Sequence, residues 1–196
     1  MIRAYDEQYL SDAMHCLAEA MDYVVHGCSM EMDTFLDLFI ASGIAEQFGV
    51  GVPKYVSGTS GTELVMIVLD KAGIDRTYPD PQIDYDCSPE YWCGWILAYY
   101  QWYTGRSFKE IRKHITMQII EKLYPTLHEA PEQKFVDNVE IMIRRKNPPS
   151  RLQAQRKISG YSQRELAEKA GATLLALARV LGCRVEDILE YGDTEN

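Results

Sequence analysis

Hydrophobic positions recur along most of the chain at the three- and four-residue spacing of an amphipathic helix. The first such stretch has apolar residues at Leu10, Ala13, Met14, Leu17, Ala20, Met21, Val24 and Val25, and Gly27 follows it. Residues at these spacings share one face of a helix, so the stretch predicts about five turns with a single buried stripe. Because the same spacing returns nearly throughout, we predict an all-α protein.

Sequence signals for helix starts agree with that prediction. A Ser followed three residues later by a Glu forms a capping box, in which each side chain accepts a hydrogen bond from the other residue's backbone N–H. This pattern stands at Ser60–Glu63, Ser107–Glu110 and Ser162–Glu165. Ser88-Pro89-Glu90 predicts another helix start. We expect the helix that begins after Ser107 to extend to Tyr124, and residues 48–53 to form a loop.

The chain divides into two parts at a proline pair. Asn147-Pro148-Pro149 interrupts the helical pattern, because proline cannot continue a helix and also restricts the residue before it. We therefore predict an acidic multi-helix domain over residues 1–147 and a small C-terminal module over residues 148–196. The polar stretch 75–87, which contains Pro79 and Pro81, is either a loop or a boundary between two subdomains of the first domain.

Composition and charge exclude several classes of protein and limit where nucleic acid could bind. The chain has 196 residues, of which 46% are hydrophobic and 25% charged. These values are ordinary for a globular protein and exclude a disordered tail, a collagen and a coiled-coil rod. Residues 1–140 hold ten basic and 22 acidic residues, for a net charge of −12, whereas residues 141–196 hold ten and seven, for +3. The acidic part would repel DNA, so any contact with nucleic acid has to come from the C-terminal part.

The charge contrast is sharpest between Arg144 and Arg164. This segment holds seven basic residues and no acid. Blocks of like charge repel one another and often form an interaction surface for a polyanion. The alternative is a solvated linker whose charges only keep it soluble.

Aromatic residues are concentrated in the helix that begins at Ser88. All three tryptophans and several of the tyrosines lie between Tyr91 and Tyr103. Such residues are usually part of a core, because each buries a large apolar area. The alternative is a groove for a partner, since Tyr and Trp also anchor protein interfaces.

Cysteine and histidine spacing gives no sign of a disulfide framework or a metal site. The residues concerned are Cys16, Cys28, Cys87, Cys93 and Cys183, with His15, His26, His114 and His128. Their number and spacing fit neither a disulfide scaffold nor a four-ligand zinc site, so we expect free thiols and incidental imidazoles. No phosphate-binding loop, nucleophile elbow or metalloprotease motif is present. We predict no enzymatic activity, no catalytic residue and no cofactor.

The C-terminal module contains two motifs in a fixed order. The first, SQRELAEKAG, occupies residues 162–171, and the second, TLLALARVLGCRVEDILE, occupies residues 173–190. They resemble the second helix and the last two helices of the lambda-repressor-like helix-turn-helix family, also called the XRE family, and the resemblance covers residues 151–191. It implies a small helical domain that binds DNA in a sequence-specific way and regulates transcription.

The helix that reads DNA in that family has no counterpart in this sequence. The family carries a recognition helix and a loop between the two motifs, and this helix enters the major groove to contact base edges. In this chain Gly171 is followed directly by Ala172. Either a segment is missing from the sequence at that junction, or the protein has lost the reader. In the second case the remaining helices would still share an apolar core, formed by Leu166, Leu174, Leu177, Leu181, Ile188 and Leu189.

The resemblance also implies which residues contact DNA. Gln163 matches a phosphate-contacting position at the start of the second helix, where free N–H groups and the helix dipole attract anions. Arg156 and Lys157 match basic positions at the end of the first helix. With Arg151 and Arg164 from the same basic segment, they form the predicted DNA-binding set. The alternative is that these residues are ordinary surface charges.

The first domain has a resemblance of its own. The runs that carry it are FIASGIAEQF at 39–48, PKYVSGTSGTEL at 53–64 and SPEYWCGWILAYYQWYTG at 88–105. They make residues 1–145 similar to the front domain of bacterial regulators encoded beside small toxin modules. This resemblance implies an antitoxin or partner-sensing role.

These observations together predict a cytoplasmic DNA-binding transcriptional regulator. We expect it to bind double-stranded DNA, to form a homodimer and to bind a protein partner such as a toxin. No secretory signal and no membrane-spanning stretch is predicted from the sequence. The alternative function is a protein-interaction module, antitoxin-like, that lacks sequence-specific DNA binding.

Overall fold

A computed structural model describes residues 3–74, 78–80, 88–146, 151–170 and 173–188. Every regular element in these ranges is helical, which confirms the predicted all-α class for them. The helices are α1 (Leu10–Asp22), α2 (Met32–Ala41), α3 (Ile44–Gly49), α4 (Pro53–Val56), α5 (Gly61–Lys71), α6 (Pro89–Thr104), α7 (Phe108–Arg112), α8 (Met117–Leu127), α9 (Glu132–Lys146), α10 (Arg151–Ile158), α11 (Gln163–Ala170) and α12 (Leu174–Leu181). A π-helical turn spans Tyr23–Gly27, and turns of 3-10 helix span Glu7–Tyr9 and Val185–Asp187. None of the described helices is both long enough and apolar enough to span a bilayer.

The chain forms two compact units, residues 1–140 and 141–196. The division falls inside α9, whereas the sequence places the domain boundary after residue 147. Residues 147–149, which carry that boundary, lie outside the described residues, as do residues 75–77 and 81–87 of the predicted loop or subdomain boundary. Helix α9 therefore belongs to the first unit up to Glu140.

Helix α1 is the central element of the first unit. Ala13, Leu17, Ala18, Ala20 and Met21 have no exposed surface. Because several of these residues are alanine, neighbouring helices can approach the α1 backbone closely. Helix α5 does so through its first residue, since a Cβ atom added to Gly61 would lie 2.4 Å from the Ala20 backbone nitrogen. Only glycine fits at such a position.

Helices α1 and α6 run antiparallel, and hydrogen bonds join the chain segments at or next to both of their ends. Near one end, the Ala4 N–H donates a 3.0 Å hydrogen bond to the Trp102 carbonyl oxygen. At the other end, the Ser88 hydroxyl donates a 2.5 Å hydrogen bond to Oδ1 of Asp22. This pairing brings the end of α1 next to the start of α6, although the two segments are far apart in sequence.

The predicted helix starts are present, but one predicted helix is divided. The boxes at Ser60 and Ser107 show both reciprocal hydrogen bonds. The single helix expected from Ser107 to Tyr124 is instead α7 and α8, because Thr116 caps a new start and Asp33 accepts a 2.9 Å hydrogen bond from the Met117 N–H. The predicted loop at 48–53 is shorter than expected, since α3 extends to Gly49 and α4 begins at Pro53.

The second unit has a small core of its own. Its buried residues are Leu166, Ala178, Leu181 and Ile188. Of the six residues predicted to share this core, Leu166, Leu181 and Ile188 are buried, and Leu177 packs against them. The prediction is wrong for Leu174, whose surface is 48% exposed, and Leu189 lies outside the described residues. The helices of this unit therefore pack on one another through a short apolar face.

Candidate functional site

Helix α10 carries three of the five predicted DNA contacts, and these differ in their surroundings. Arg151 in the first turn and Lys157 in the last have exposed side chains. Arg156 is half-buried, and its guanidinium donates a 2.6 Å hydrogen bond to the carbonyl oxygen of Tyr161. Arg156 thus holds the turn between α10 and α11, while Arg151 and Lys157 present their side chains to solvent near the two ends of α10.

The other two predicted contacts, Gln163 and Arg164, are in the first turn of α11, and their side chains lie outside the described part of the chain. The turn itself is the predicted capping box. Ser162 N–H donates a 2.8 Å hydrogen bond to Glu165 Oε2, and the Glu165 N–H donates to the Ser162 hydroxyl at 3.2 Å. The Ser162 hydroxyl and N–H together hold the pKa of the Glu165 carboxyl below its ordinary value. An anion approaching this helix start therefore meets an ionised carboxylate.

Helix α12 is the next described helix along the chain after α11. Thr173 caps it by accepting a 3.3 Å hydrogen bond from the Ala176 N–H. Its exposed positions are Thr173, Leu174, Leu175 and Arg179. Base edges in the major groove are read mainly by Arg, Lys, Asn and Gln. The described face of α12 offers one such side chain beside two leucines, which is a poor surface for reading DNA.

A second candidate site is an aromatic pocket of about 340 Å³ in the first unit. It opens between α1, α6 and α8, and its walls are His15, Tyr91, Trp92, Trp95, Tyr124 and His128. Trp92 and Tyr124 meet edge to face with ring centroids 5.6 Å apart, and His15 meets Trp95 in the same way at 4.7 Å. Pockets of this size with apolar walls suit a small ligand or a single inserted side chain.

Hydrogen bonds fix the polar edges of the pocket. His15 Nδ1 lies 2.8 Å from the Tyr91 hydroxyl, and His128 Nδ1 lies 2.9 Å from the Tyr124 carbonyl oxygen. The His128 ring also stacks on Tyr124 with centroids 4.7 Å apart. Since several of the wall rings have a partner that limits their rotation, the pocket is largely preformed.

The pocket changes the interpretation of the aromatic helix. Tyr100 and Trp102 are buried, as a core residue should be. The residues of a second stripe are only half-buried, so the core prediction is wrong for them: Tyr91, Trp92, Trp95, Tyr99 and Tyr103. The spacing of this stripe is visible in the sequence, but the sequence does not show which stripe of an aromatic-rich helix stays uncovered. His15 and His128 carried no signal that could have placed them at the site.

Among the described residues, one further group combines metal-ligating side chains. Asp22 and His26, at the end of α1 and in the π-helical turn, lie beside Glu90 in the first turn of α6. Comparisons of this chain with protein-family models, with curated proteins and with solved structures found no match.

Proposed function

We propose that this chain is a cytoplasmic DNA-binding regulator of the helix-turn-helix type, and that its C-terminal unit binds the backbone of double-stranded DNA. The observation that carries the proposal is the acid-free segment from Arg144 to Arg164, which includes the end of α9, all of α10 and the start of α11. Arg144, Arg145, Arg151 and Lys157 have exposed side chains within it. Phosphate contacts supply most of the affinity in sequence-independent binding, and basic side chains provide them.

The arrangement favours backbone contact over base reading. The exposed face of α12 has two leucines beside Thr173 and Arg179, so it offers few of the side chains that recognise base edges. Phosphate contacts set the position of a protein on a duplex but carry no sequence information. We therefore assign the choice of DNA site to a partner or to a second copy of the chain.

A salt titration with matched variants tests the proposal. The affinity of the full chain for one operator-like duplex and one scrambled duplex is measured by fluorescence anisotropy at several salt concentrations. Binding should weaken steeply with salt, and Lys157→Ala should reduce the log–log slope by about 0.9 for both duplexes. Lys122→Ala removes an exposed lysine of α8 in the acidic unit and serves as the matched control.

Two results would contradict the proposal. One is the absence of duplex binding even at low salt, and the other is an equal loss of slope in Lys157→Ala and Lys122→Ala. Discrimination between the two duplexes by about 4 kcal/mol or more would show sequence-specific binding and so would overturn the assignment to the backbone alone.

We further propose a homodimer, because Leu174 and Leu175 of α12 remain 48% and 56% exposed. A unit this small gains little from its own core, so burying a second apolar face would add stability. Sedimentation of the full chain should show a concentration-dependent dimer that Leu175→Lys shifts to monomer. Val50→Lys, at a residue of the first unit that is 65% exposed, should leave the dimer unchanged.

A second candidate function is partner binding by the first unit, with an antitoxin-like role and no sequence-specific DNA binding. The aromatic pocket favours it, since half-buried Tyr and Trp residues are the side chains most often found at binding hot spots. A toxin-like partner would insert an apolar or cationic side chain between Trp92 and Trp95. Copurification from the native host should recover a partner with the wild-type chain and lose it with Trp95→Ala, while Lys157→Ala retains it.

A further inference from the structure

Three metal-ligating side chains meet where α1 ends and α6 begins. His26 Nε2 lies 3.2 Å from Glu90 Oε2 and 3.7 Å from Asp22 Oδ1. One ligand atom from each residue lies within 4.8 Å of the others. The ligands of a tetrahedral zinc ion, with bonds of 2.0–2.2 Å, are about 3.4 Å apart. Two of the three spacings are therefore close to that of ligands around one ion, and the third is at most 4.8 Å.

The local backbone explains why these residues converge. After Asp22 the chain widens into the π-helical turn Tyr23–Gly27, which closes with a 2.9 Å hydrogen bond from the Cys28 N–H to the Tyr23 carbonyl oxygen. The turn places His26 beside Asp22 and opposite Glu90. Gly27 makes room for it, because a Cβ atom there would lie 2.7 Å from the Tyr23 ring. Turns of this kind are rare and are often found at functional sites.

A neighbouring hydrogen-bond network orients one of the ligands. The Ser88 hydroxyl accepts a 2.9 Å hydrogen bond from the Tyr91 N–H and donates one to Asp22 Oδ1 at 2.5 Å. Residues that hold a ligand in this way are a regular part of metal sites, because they fix its direction before the ion binds. The Asp22 and Glu90 side chains are 27% and 17% exposed, and that of His26 is 50% exposed. The group is thus partly sheltered and still open to solvent on one side.

We propose that Asp22, His26 and Glu90 bind one divalent transition-metal ion of the zinc class, with water completing its coordination. One imidazole nitrogen and two carboxylate oxygens are a ligand set that zinc and its neighbours accept. The two carboxylates supply the negative charge that balances the ion. The ion would tie the end of α1 to the start of α6 and would present an open coordination position to solvent. This assignment does not depend on DNA or partner binding.

The alternative is that a protonated His26 makes two ion pairs and no metal binds. Isothermal titration of the chelator-treated full chain with zinc chloride distinguishes the two. We expect one saturable site per chain and a rise in the thermal unfolding midpoint when zinc is added. His26→Gln and Glu90→Gln should each weaken zinc binding by about 100-fold or more, because loss of a mere supporting residue already costs about 10- to 100-fold.

Two control variants test the ligand set. His114→Gln removes an imidazole of the same unit outside the group, and Cys87→Ser removes the thiol next in sequence to Ser88. Both should bind zinc as the wild type does, and circular dichroism should show that all four variants are folded. Absence of saturable binding up to about 1 mM zinc would overturn the proposal. Unchanged binding by folded His26→Gln, or its loss in Cys87→Ser, would do the same.

Discussion

Gly94 packs against Leu17 so closely that a Cβ atom on Gly94 would lie 2.2 Å from the Leu17 carbonyl oxygen. The next nearest atoms are Cα of Ala18 and the carbonyl carbon of Leu17, each at 2.7 Å. All three are backbone atoms, so the clash cannot be relieved by rotating a side chain. Gly94→Ala therefore forces α1 and α6 apart. We expect the free energy of unfolding, measured by urea denaturation, to fall by about 3 kcal/mol.

A matched alanine substitution separates this close contact from a general effect on helices. Gln118 is exposed on α8, so Gln118→Ala should change the free energy of unfolding by about 0.5 kcal/mol or less. If Gly94→Ala is as stable as Gln118→Ala, the two helix backbones do not touch as described.

The second prediction compares two large aromatic residues. Phe39 is fully buried and packs against Phe35, Phe48 and Phe108 with ring centroids 5.3–6.0 Å apart. Phe39→Ala should lower the free energy of unfolding by about 3–5 kcal/mol, since it leaves a cavity. Trp95 is half-buried at the rim of the aromatic pocket, so Trp95→Ala should cost less. Equal losses in thermal or urea unfolding would place Trp95 in the core after all.

A third prediction concerns pH and the Arg112 ion pairs. Arg112 donates hydrogen bonds of 2.8 and 3.0 Å to Asp37 and lies 3.0 Å from Asp33. The hydrogen bond from Arg112 holds the pKa of the Asp37 carboxyl below its ordinary value. A carboxyl whose pKa is lower in the folded state stabilises the fold above its unfolded pKa, and this contribution disappears as the pH falls through the folded pKa.

Arg112→Met should therefore be less stable than the wild type at about pH 6, and the difference should shrink toward about pH 3. The Asp37 side chain is 58% exposed, so its share of the difference is about 1 kcal/mol or less. Urea denaturation at several pH values measures it. Lys109→Met, at an exposed lysine of the same helix, is the control, and a difference that grows toward low pH would contradict the assignment.

The fourth prediction concerns thiol reactivity. Burial, with smaller contributions from Glu19 and Glu63, raises the pKa of the Cys16 thiol to about 12. Burial also raises the pKa of Cys93, and Cys28 is buried. Since the thiolate is the reactive form, these three should resist alkylation at about pH 8 until the protein unfolds.

Mass spectrometry after timed alkylation of the Cys87→Ser variant checks this. Cys183, which is half-buried in the second unit, should react first in the folded protein. Addition of denaturant should make all four remaining thiols react within minutes. Rapid labelling of Cys16 or Cys93 in the folded protein would show that α1 or α6 opens far more readily than its packing implies.

Much of the local structure is determined by residues close together in sequence. The capping boxes at Ser60, Ser107 and Ser162 form as predicted, because each joins residues only three apart. The apolar stripe of α1 and the acid-free basic segment are likewise properties of contiguous residues. For that reason the all-α class and the charge contrast between the two parts followed from the sequence alone.

Other features depended on residues that meet only in the folded chain. Helix α8 begins at Met117 because Asp33, in the sequence-distant helix α2, accepts a hydrogen bond from the Met117 N–H. The sequence after Ser107 does not show this contact and therefore predicted one helix where there are two. Arg156 was predicted as a DNA contact, and in the structure its guanidinium donates a hydrogen bond to the Tyr161 carbonyl oxygen. Whether a side chain binds a partner or a neighbouring backbone group depends on tertiary packing, which cannot be inferred from helix periodicity.

The sequence by itself determined that α1 and α6 are helices, and roughly where each begins. Only the tertiary structure decided that they run antiparallel, which aligns Asp22 with Ser88 and Glu90, and His15 with Tyr91 and Trp95. The aromatic pocket and the proposed metal site both arise from that alignment. Helix formation is governed by interactions within a turn or two, whereas the pairing of two helices depends on which surfaces fit together, as Gly94 fits against Leu17.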